Sequence, residues 1–509
     1  MPRANDPPVI PGLLLDVNAL ERARRARDPR FDGRFFVGSV ATGVYCRPIC
    51  PTPGPNPGNA RYYASAAAAA EAGFRPCLRC RPEAAPESAA WLGASAIVRR
   101  ALKLIENGAL DDGTVEGLAR HLGVCGRHLR RLFFAHVGAS PLAVAQTRRL
   151  QFAKQLIDQT DLPMTRVALE SGFRSLRRFN AAIREGYGET PSALRGRHRG
   201  RAGDADRRRG GIVLRLPYRP PYDWQALLEH LRARAVPEIE RVEAGTYTRN
   251  VVHEGKPARI VVRAPRDIAA LELSLEGDPA GALLSLVARA RRVFDVGVDP
   301  ERVASVLRRD PLLAPLVAVA PGLRIPGVWD GFECAVRAVL AAGDPERERR
   351  LLSRIVRSSG SPYPEPGAPG GQLTHLFPTA QALAVADLEG LGVMATQART
   401  VRELALALLE RRLCFEVPSD ELARALAACQ GIDPGTVELI VLRSLGDPDA
   451  FPASVTASRA LGGVTDREHA ALQDRSQAWR PWRGYAALHL ERAAVDGARA
   501  SRTPAAHAG

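Results

Sequence analysis

Four cysteines stand in two close pairs: Cys46 and Cys50 in Tyr45-Cys46-Arg47-Pro48-Ile49-Cys50, and Cys77 and Cys80 in Phe74-Arg75-Pro76-Cys77-Leu78-Arg79-Cys80-Arg81-Pro82. The pattern is C-x3-C, 26 residues, then C-x2-C. Each short spacing lets two thiolates converge on one ion, and two such knuckles complete a tetrahedral zinc site. Buried thiols or disulfides are the alternative, but core packing seldom produces paired short spacings. Cys125, Cys334, Cys414 and Cys429 are scattered and read as ordinary small helix residues.

Compartment and charge support zinc and a polyanionic partner. The chain opens on Met1-Pro2-Arg3-Ala4-Asn5-Asp6 and prolines rather than an apolar signal core, and has no apolar run of membrane-spanning length. The expected location is a reducing cytoplasm, in association with the nucleoid, where paired cysteines bind metal more often than they form disulfides. A formal charge of +16 and a pI near 10.1 suit DNA. Only Lys103, Lys154 and Lys256 are lysines. GC-rich coding explains arginine over lysine, but not the excess of positive charge.

The elements that must position these residues fall into several domains, as 509 residues predict. Residues 1–88 form a small four-cysteine zinc α/β unit, with a strand at Phe35–Val40 and an alanine-rich helix from Ala64 to Gly73. So thin a core leaves much of the folding energy to zinc. Residues 92–196 are all-α and hold two helix-turn-helix patterns. In the first, Val115 to Val124 precedes a basic helix from Cys125 to Phe134. In the second, Met164 to Ser171 and Gly172-Phe173 precede Arg174 to Arg184. Their second helices carry Arg127, His128, Arg130 and Arg131, then Ser175, Arg177, Arg178 and Asn180, which can bond to phosphates and base edges in a major groove. Arg195 to Gly211, with seven arginines and five glycines, reads as a flexible basic linker whose core is 197–211. Residues 212–325 mix strands and helices, residues 326–495 are mostly helical, and 496–509 form a disordered tail. The expected fold is thus multidomain and mainly α, with α+β parts.

The cysteine block, from Asp28-Pro29-Arg30-Phe31-Asp32-Gly33 through Thr42-Gly43-Val44-Tyr45-Cys46-Arg47-Pro48 to Gly73-Phe74-Arg75-Pro76-Cys77, closely resembles the zinc domain of Ada-type DNA alkylation-response regulators. The resemblance implies that Cys46 accepts a methyl group from a methylphosphotriester in damaged DNA, once per molecule. Zinc keeps the sulfur a thiolate, the nucleophile such a transfer needs. It also implies Arg47 as a DNA contact, and methylation as a switch for operator binding and activation, with RNA polymerase as partner. The Pro-Cys-His-Arg site of the second methyl-acceptor domain common in that family does not occur here.

The helical unit is similar to AraC-type DNA-binding domains, in Val167-Ala168-Leu169-Glu170-Ser171-Gly172-Phe173-Arg174-Ser175-Leu176-Arg177-Arg178-Phe179 and Gly188-Glu189-Thr190-Pro191-Ser192. Cys125 stands where serine often opens the first recognition helix, which predicts a weak N-cap.

Residues 212–495 resemble AlkA-type 3-methyladenine DNA glycosylases: an α+β domain followed by an all-α helix-hairpin-helix domain. The marks are Trp329-Asp330-Gly331-Phe332-Glu333-Cys334, Leu445-Gly446-Asp447-Pro448-Asp449-Ala450-Phe451-Pro452 and Trp479-Arg480-Pro481-Trp482-Arg483-Gly484-Tyr485. Active members flip out a damaged base and cleave its glycosidic bond with help from one aspartate. Here Phe451-Pro452-Ala453-Ser454-Val455 puts Val455 at that aspartate, and Asp433 replaces a hairpin glycine that faces DNA phosphate. Gly435, Leu439 and Glu491 stand where aromatics are usual, and Ala341-Ala342-Gly343-Asp344-Pro345 replaces the wedge segment. The expectation is a methyl-accepting activator fused to a glycosylase-like domain that has lost catalysis. Two alternatives stay open: a bifunctional protein that still excises 3-methyladenine, and a zinc-stabilised transcription factor without methyl transfer.

Overall fold

The computed structural model of the chain describes residues 16–85, 96–106, 108–111, 113–199, 212–253, 255–277, 283–341, 345–363, 373–453 and 466–502. Val455, Ser454 and most of the expected wedge and linker lie outside the described residues. The chain packs as two compact units. One comprises Met1–Arg219, Pro265–Arg291 and Val296–Val298, and the other Pro220–Ala264, Arg292–Asp295 and Asp299–Gly509.

In the first unit, Val17–Arg25 forms a helix capped by Asp16, whose carboxylate accepts the Ala19 N–H. Its buried face, Leu20 and Ala23, packs with Phe35 and with Val37 and Tyr62 of a four-stranded sheet. The sheet order is 60–63, 36–39, 44–46, 75–76, antiparallel except for the last pair. The alanine helix runs over Ala66–Glu71, with Ser65 as its N-cap.

Both helix-turn-helix motifs form where their periodicity predicts, as Val115–His121 with Gly126–Val137 and Met164–Glu170 with Leu176–Tyr187. Their turns repeat in detail. Gly123 and Gly172 have φ of +69° and +77°, and the second helices end on Gly138 and Gly188 at +74° and +73°. Glycine supplies these left-handed conformations without a Cβ penalty. The Pro141–Gln159 helix joins the motifs. The last helix of this region, Pro191–Arg199, runs past Arg195, where the linker was expected to begin. Arginine favours helix enough to extend it through that stretch despite Gly196.

The zinc domain is seated on the helix-turn-helix region. Ser140 donates its N–H and its hydroxyl to the two Glu71 carboxylate oxygens, at 3.0 and 2.9 Å. The Ser65 hydroxyl donates to the Val137 carbonyl, and Ala67, Ala68 and Ala139 share a small core. Beneath lies a buried ionic cluster: Arg81–Asp158 at 2.5 Å, Lys154–Asp158 at 2.5 Å and Lys154–Glu83 at 3.5 Å. Ile212–Pro217 then pairs antiparallel with Ala270–Glu276 in the same unit.

The second unit has an antiparallel meander of Glu240–Glu243, Thr246–His253 and Lys256–Arg263. Around it the Gly331–Leu340 helix packs on Ala395–Leu409 and Pro434–Leu445. A Cβ on Gly331 would lie 2.4 Å from the Phe415 ring, so that close approach needs glycine. Arg483–Arg502 forms the terminal helix, running beyond Asp496, where disorder was expected. Alanine and arginine favour helix over 496–502, and an Arg492–Asp496 pair at 2.9 Å bridges one turn.

A buried network organises this unit. Glu240 accepts from Arg337 at 2.6 Å, Arg249 at 2.8 Å and the Tyr247 hydroxyl at 2.6 Å, while Glu333 pairs with both arginines. Burial pushes the Glu240 carboxyl up, but Arg337 and Arg249 outweigh it and hold the pKa at about 2. A carboxyl depressed on folding stabilises fully above its unfolded pKa, and that stability fades as pH falls through the folded value. Stability of this unit should therefore decline from about pH 4.5 toward pH 2. Glu240→Gln should flatten that decline in urea titrations at stepped pH, and should cost about 3–5 kcal/mol at neutral pH by leaving buried arginines undercompensated.

Candidate zinc centre and DNA-reading helices

Two strand ends bring the cysteine pairs together. Cys46 closes the strand Val44–Cys46, which pairs in parallel with Arg75–Pro76, Tyr45 lying opposite Pro76. The Cys77 N–H then donates to the Tyr45 carbonyl at 3.0 Å, setting Cys77 beside Cys46. Tight turns close each knuckle: Cys50 N–H to Arg47 O at 3.1 Å, and Arg81 N–H to Cys77 O at 3.0 Å. Arg81 takes a left-handed φ of +55° to make its turn. The four Sγ atoms lie within 4.8 Å of one another.

Such a set fits a divalent soft cation. The thiols lie close enough to hydrogen-bond one another, which drives their proton affinities apart. Hydrogen bonds from Cys46 and Cys77 pull Cys50 far below the ordinary thiol range, and one from Cys46 brings Cys77 to about 6. Hydrogen bonds with Cys50 and Cys77 push Cys46 up, and hydrogen bonds with Cys46, Cys50 and Cys77 do the same to Cys80. All four can be anionic together only around a positive ion, and four convergent sulfurs are a zinc ligand set. Cys50, Cys77 and Cys80 are buried, whereas Cys46 is half-buried.

Outer partners hold the knuckles. Arg47 donates its backbone N–H to Cys80 Sγ at 3.4 Å and its Nη1 to the Cys80 carbonyl at 3.1 Å. Its Nε lies 2.7 Å from the Asp32 carboxylate, which Nη2 also contacts. The Arg47 guanidinium, a candidate DNA contact from sequence, is therefore engaged with Asp32 and only 13% exposed. The matching Asp32 stood in the sequence motif, but nothing local paired it with Arg47.

The reading helices differ from one another. Arg127, Arg177 and Arg178 are exposed, and their guanidiniums have no partner among the described residues. Arg131 hydrogen-bonds His128 Nδ1 at 3.0 Å, and Arg130 pairs with Glu116 at 2.5 Å. Ser175 caps its helix through the Arg178 N–H at 3.3 Å, while Cys125 makes no capping bond, as its side chain predicts.

In the glycosylase-like half, Asp433 caps Pro434–Leu445, accepting from the Thr436 N–H at 3.0 Å and the Thr436 hydroxyl at 2.5 Å. Burial opposes ionisation, yet the Thr436 hydrogen bonds hold its carboxyl below the usual range. The amide groups at this helix start thus face the protein's own anion. Gly435 is buried, and Leu439 and Glu491 are half-buried. Glu438 carries no motif signal in the sequence. It is half-buried, accepts the Phe451 N–H at 3.2 Å, and has its pKa raised by burial.

A zinc knuckle seated on tandem helix-turn-helix motifs, followed by an α+β segment and a helical domain, defines a multidomain DNA-binding regulator joined to a glycosylase-like fold. Family models match in that order: the metal binding domain of Ada over residues 19–83, a helix-turn-helix domain over 118–197, and the AlkA N-terminal domain over 213–330. The chain is 41% identical over 483 residues to a Mycobacterium tuberculosis protein named probable bifunctional transcriptional activator/DNA repair enzyme AlkA, covering 93% of this chain and 96% of that one. It is 32% identical over 287 residues to DNA-3-methyladenine glycosylase 2 of Escherichia coli, covering 54% of this chain and 95% of that one. Against the bifunctional transcriptional activator/DNA repair enzyme Ada of Escherichia coli it is 34% identical over 170 residues, 33% of this chain and 46% of that one. The chain belongs to the family of bifunctional Ada/AlkA-type transcriptional activators and DNA repair proteins. It binds DNA, and its four cysteines hold one structural zinc. No helix among the described residues is long and apolar enough to cross a membrane.

Metal analysis of the purified protein should give close to one zinc per chain, and Cys77→Ala should lose it. Full occupancy in that variant would refute the ligand set.

Proposed function

We propose that the protein is a single-use methyl acceptor whose repair event switches on DNA binding, and that its glycosylase-like half no longer excises bases. One observation carries the first part: of the four convergent cysteines, Cys46 is half-buried where Cys50, Cys77 and Cys80 are buried. We therefore assign its sulfur to meet the methyl carbon. Zinc, when bound, keeps the sulfurs ionised at neutral pH. The Cys46 sulfur attacks the methyl carbon of a methylphosphotriester, an S–C bond forms, the C–O bond breaks, and the phosphodiester leaves as an anion. Arg47, tied to Asp32 and Cys80, keeps the knuckle fixed during attack. The thioether has no route back.

The transfer changes charge as well as structure. A tetrathiolate zinc centre carries −2, and a methylated Cys46 leaves −1. At roughly 8 Å from a phosphate, one charge is worth about 0.5–2 kcal/mol for effective dielectrics of 80 to 20. Since about 1.4 kcal/mol is tenfold, several phosphates can raise DNA affinity tenfold or more. The exposed Arg127, Arg177 and Arg178 then read the operator, and RNA polymerase is the partner in activation. Such a protein works in the cytoplasm on the nucleoid.

Loss of excision is supported by Val455 at the position of the family's aspartate, by the buried Gly435 where an aromatic would stack, and by the self-capped hairpin at Asp433. A second reading, retained 3-methyladenine excision, is favoured by the glycosylase activity named for the Escherichia coli relative and by the Glu438 carboxyl beside Phe451.

After incubation with methylphosphotriester DNA, peptide mapping should show one methyl group on the Cys46 peptide and none on the Cys50, Cys77 or Cys80 peptides. A methyl group on Cys50, or none at all, would refute the acceptor assignment. Footprinting before and after methylation should show tighter operator binding. Arg127→Ala or Arg177→Ala should cost about 1–3 kcal/mol wherever the arginine reads a base. On alkylated duplex, 3-methyladenine release should stay at the spontaneous rate. Release well above it that Glu438→Gln abolishes would establish the second reading.

A further inference from the structure

The zinc centre is not supported by its own domain alone. Just past the strand Ile212–Pro217, Arg219 is 4% exposed and directs two donors at one acceptor: Nε and Nη2 lie 3.1 and 3.0 Å from the backbone carbonyl of Asp32. Asp32 is itself buried, and its carboxylate holds the Arg47 guanidinium. Arg47 in turn bonds the Cys80 carbonyl and gives its N–H to the Cys80 sulfur. A continuous path of hydrogen bonds thus leads from the AlkA-like segment to a zinc ligand.

Other contacts fix the same seam. The Gln155 side-chain amide donates to the Arg215 carbonyl at 2.9 Å, and the Arg215 N–H donates to Gln159 Oε1 at 2.8 Å. The Leu283 N–H, opening the Leu283–Val293 helix, donates to the fully buried Glu170 carboxylate at 3.1 Å. Residues 212–219 and 265–291 belong to the same compact unit as the zinc and helix-turn-helix domains, although the AlkA N-terminal family model spans 213–330.

We propose that the leading strands of the AlkA-like half are a docking surface for the regulator, and that Arg219 is a positioning residue for its zinc centre. This rests on zinc at the four cysteines, but not on methyl transfer. Arg219 pins the Asp32 backbone, so that the Asp32 carboxylate can aim Arg47 at Cys80. Loss of the guanidinium leaves a buried carbonyl unsatisfied, and the Asp32–Arg47 pair shifts with it. A hydrogen bond to a ligand sulfur draws charge from it and fixes its direction, and outer partners of this kind typically change metal affinity about 10–100-fold. The AlkA-like segment therefore has a reason to be kept that is independent of base excision.

The test uses the full-length zinc-loaded protein, with Arg219→Met, Arg219→Lys, Arg47→Met and the double variant Arg219→Met/Arg47→Met. Arg215→Met serves as control, because Arg215 meets Gln155 and Gln159 through its backbone and its side chain pairs with Glu272 at 3.8 Å, off the path to the zinc centre. The readouts are the rate of zinc loss to a chromogenic chelator and the sulfur-to-metal charge-transfer band of the cobalt-substituted protein. Arg219→Met should release zinc about tenfold faster and shift the cobalt band. Arg219→Lys should fall in between, Arg215→Met should match wild type, and the double variant should match Arg47→Met alone because both lie on one path. Zinc loss at the wild-type rate in folded Arg219→Met, or additive effects in the double variant, would overturn the proposal. Should Arg219→Met fail to fold, Arg219→Lys decides: release a few-fold faster supports the path, and a wild-type rate overturns it. Wild-type protein that lacks zinc would instead overturn the metal centre, and the path with it.

Discussion

Four sulfur atoms within 4.8 Å of one another cannot all carry charge unless a cation sits among them. That constraint governs the N-terminal part of the molecule. The sheet around the site has strands of only two to four residues, and Arg75–Pro76 contributes just two. Such a sheet gains little from its own ladder, so the ion that joins Val44–Cys46 to the Cys77 knuckle acts as a further cross-link. Under the proposed methyl transfer the same electrostatics would make the site responsive, because exchanging a thiolate for a thioether removes one unit of charge.

The zinc domain is tied to the helix-turn-helix region by direct contacts. Glu71 binds Ser140 at the start of the long helix between the two motifs. Arg81, one residue past the last ligand, reaches Asp158 near the other end of that helix. Tyr45, one residue before the first ligand, is buried, as is Tyr187 at the end of the second reading helix. The buried charges are costly to remove from water and gain only when fully partnered. They therefore favour one relative placement of the two domains over many.

The glycosylase-like half is held together by a buried ionic network and by aromatic packing. Its core is held by the Glu240–Arg249–Glu333–Arg337 network and by aromatic contacts such as Phe451 against Trp479 at 5.7 Å. None of these depends on a catalytic aspartate. The Asp433 carboxylate caps a helix whose first amides would otherwise be open to an external anion.

The sequence by itself determined the elements and the ligand set. Cysteine spacing is a covalent property of the chain, and helical patterning with glycine stops near Gly123 and Gly172 located both helix-turn-helix motifs, while the second helices run on past Phe134 and Arg184 to left-handed Gly138 and Gly188. Composition is a weaker guide than propensity: the glycine- and arginine-rich stretch that predicts a linker and the small polar stretch that predicts a disordered tail continue as helix through Arg199 and Arg502. Only tertiary structure decided which charges are spent. Arg47 faces Asp32, Arg131 faces His128 and Arg130 faces Glu116, while Arg127, Arg177 and Arg178 remain exposed. Likewise Arg219 meets Asp32 from 187 positions away in the chain. The physical reason is that partners so distant in sequence leave no periodicity or spacing to read. Their pairing is fixed by how domains pack, and the cost of a buried, unpartnered charge selects that packing.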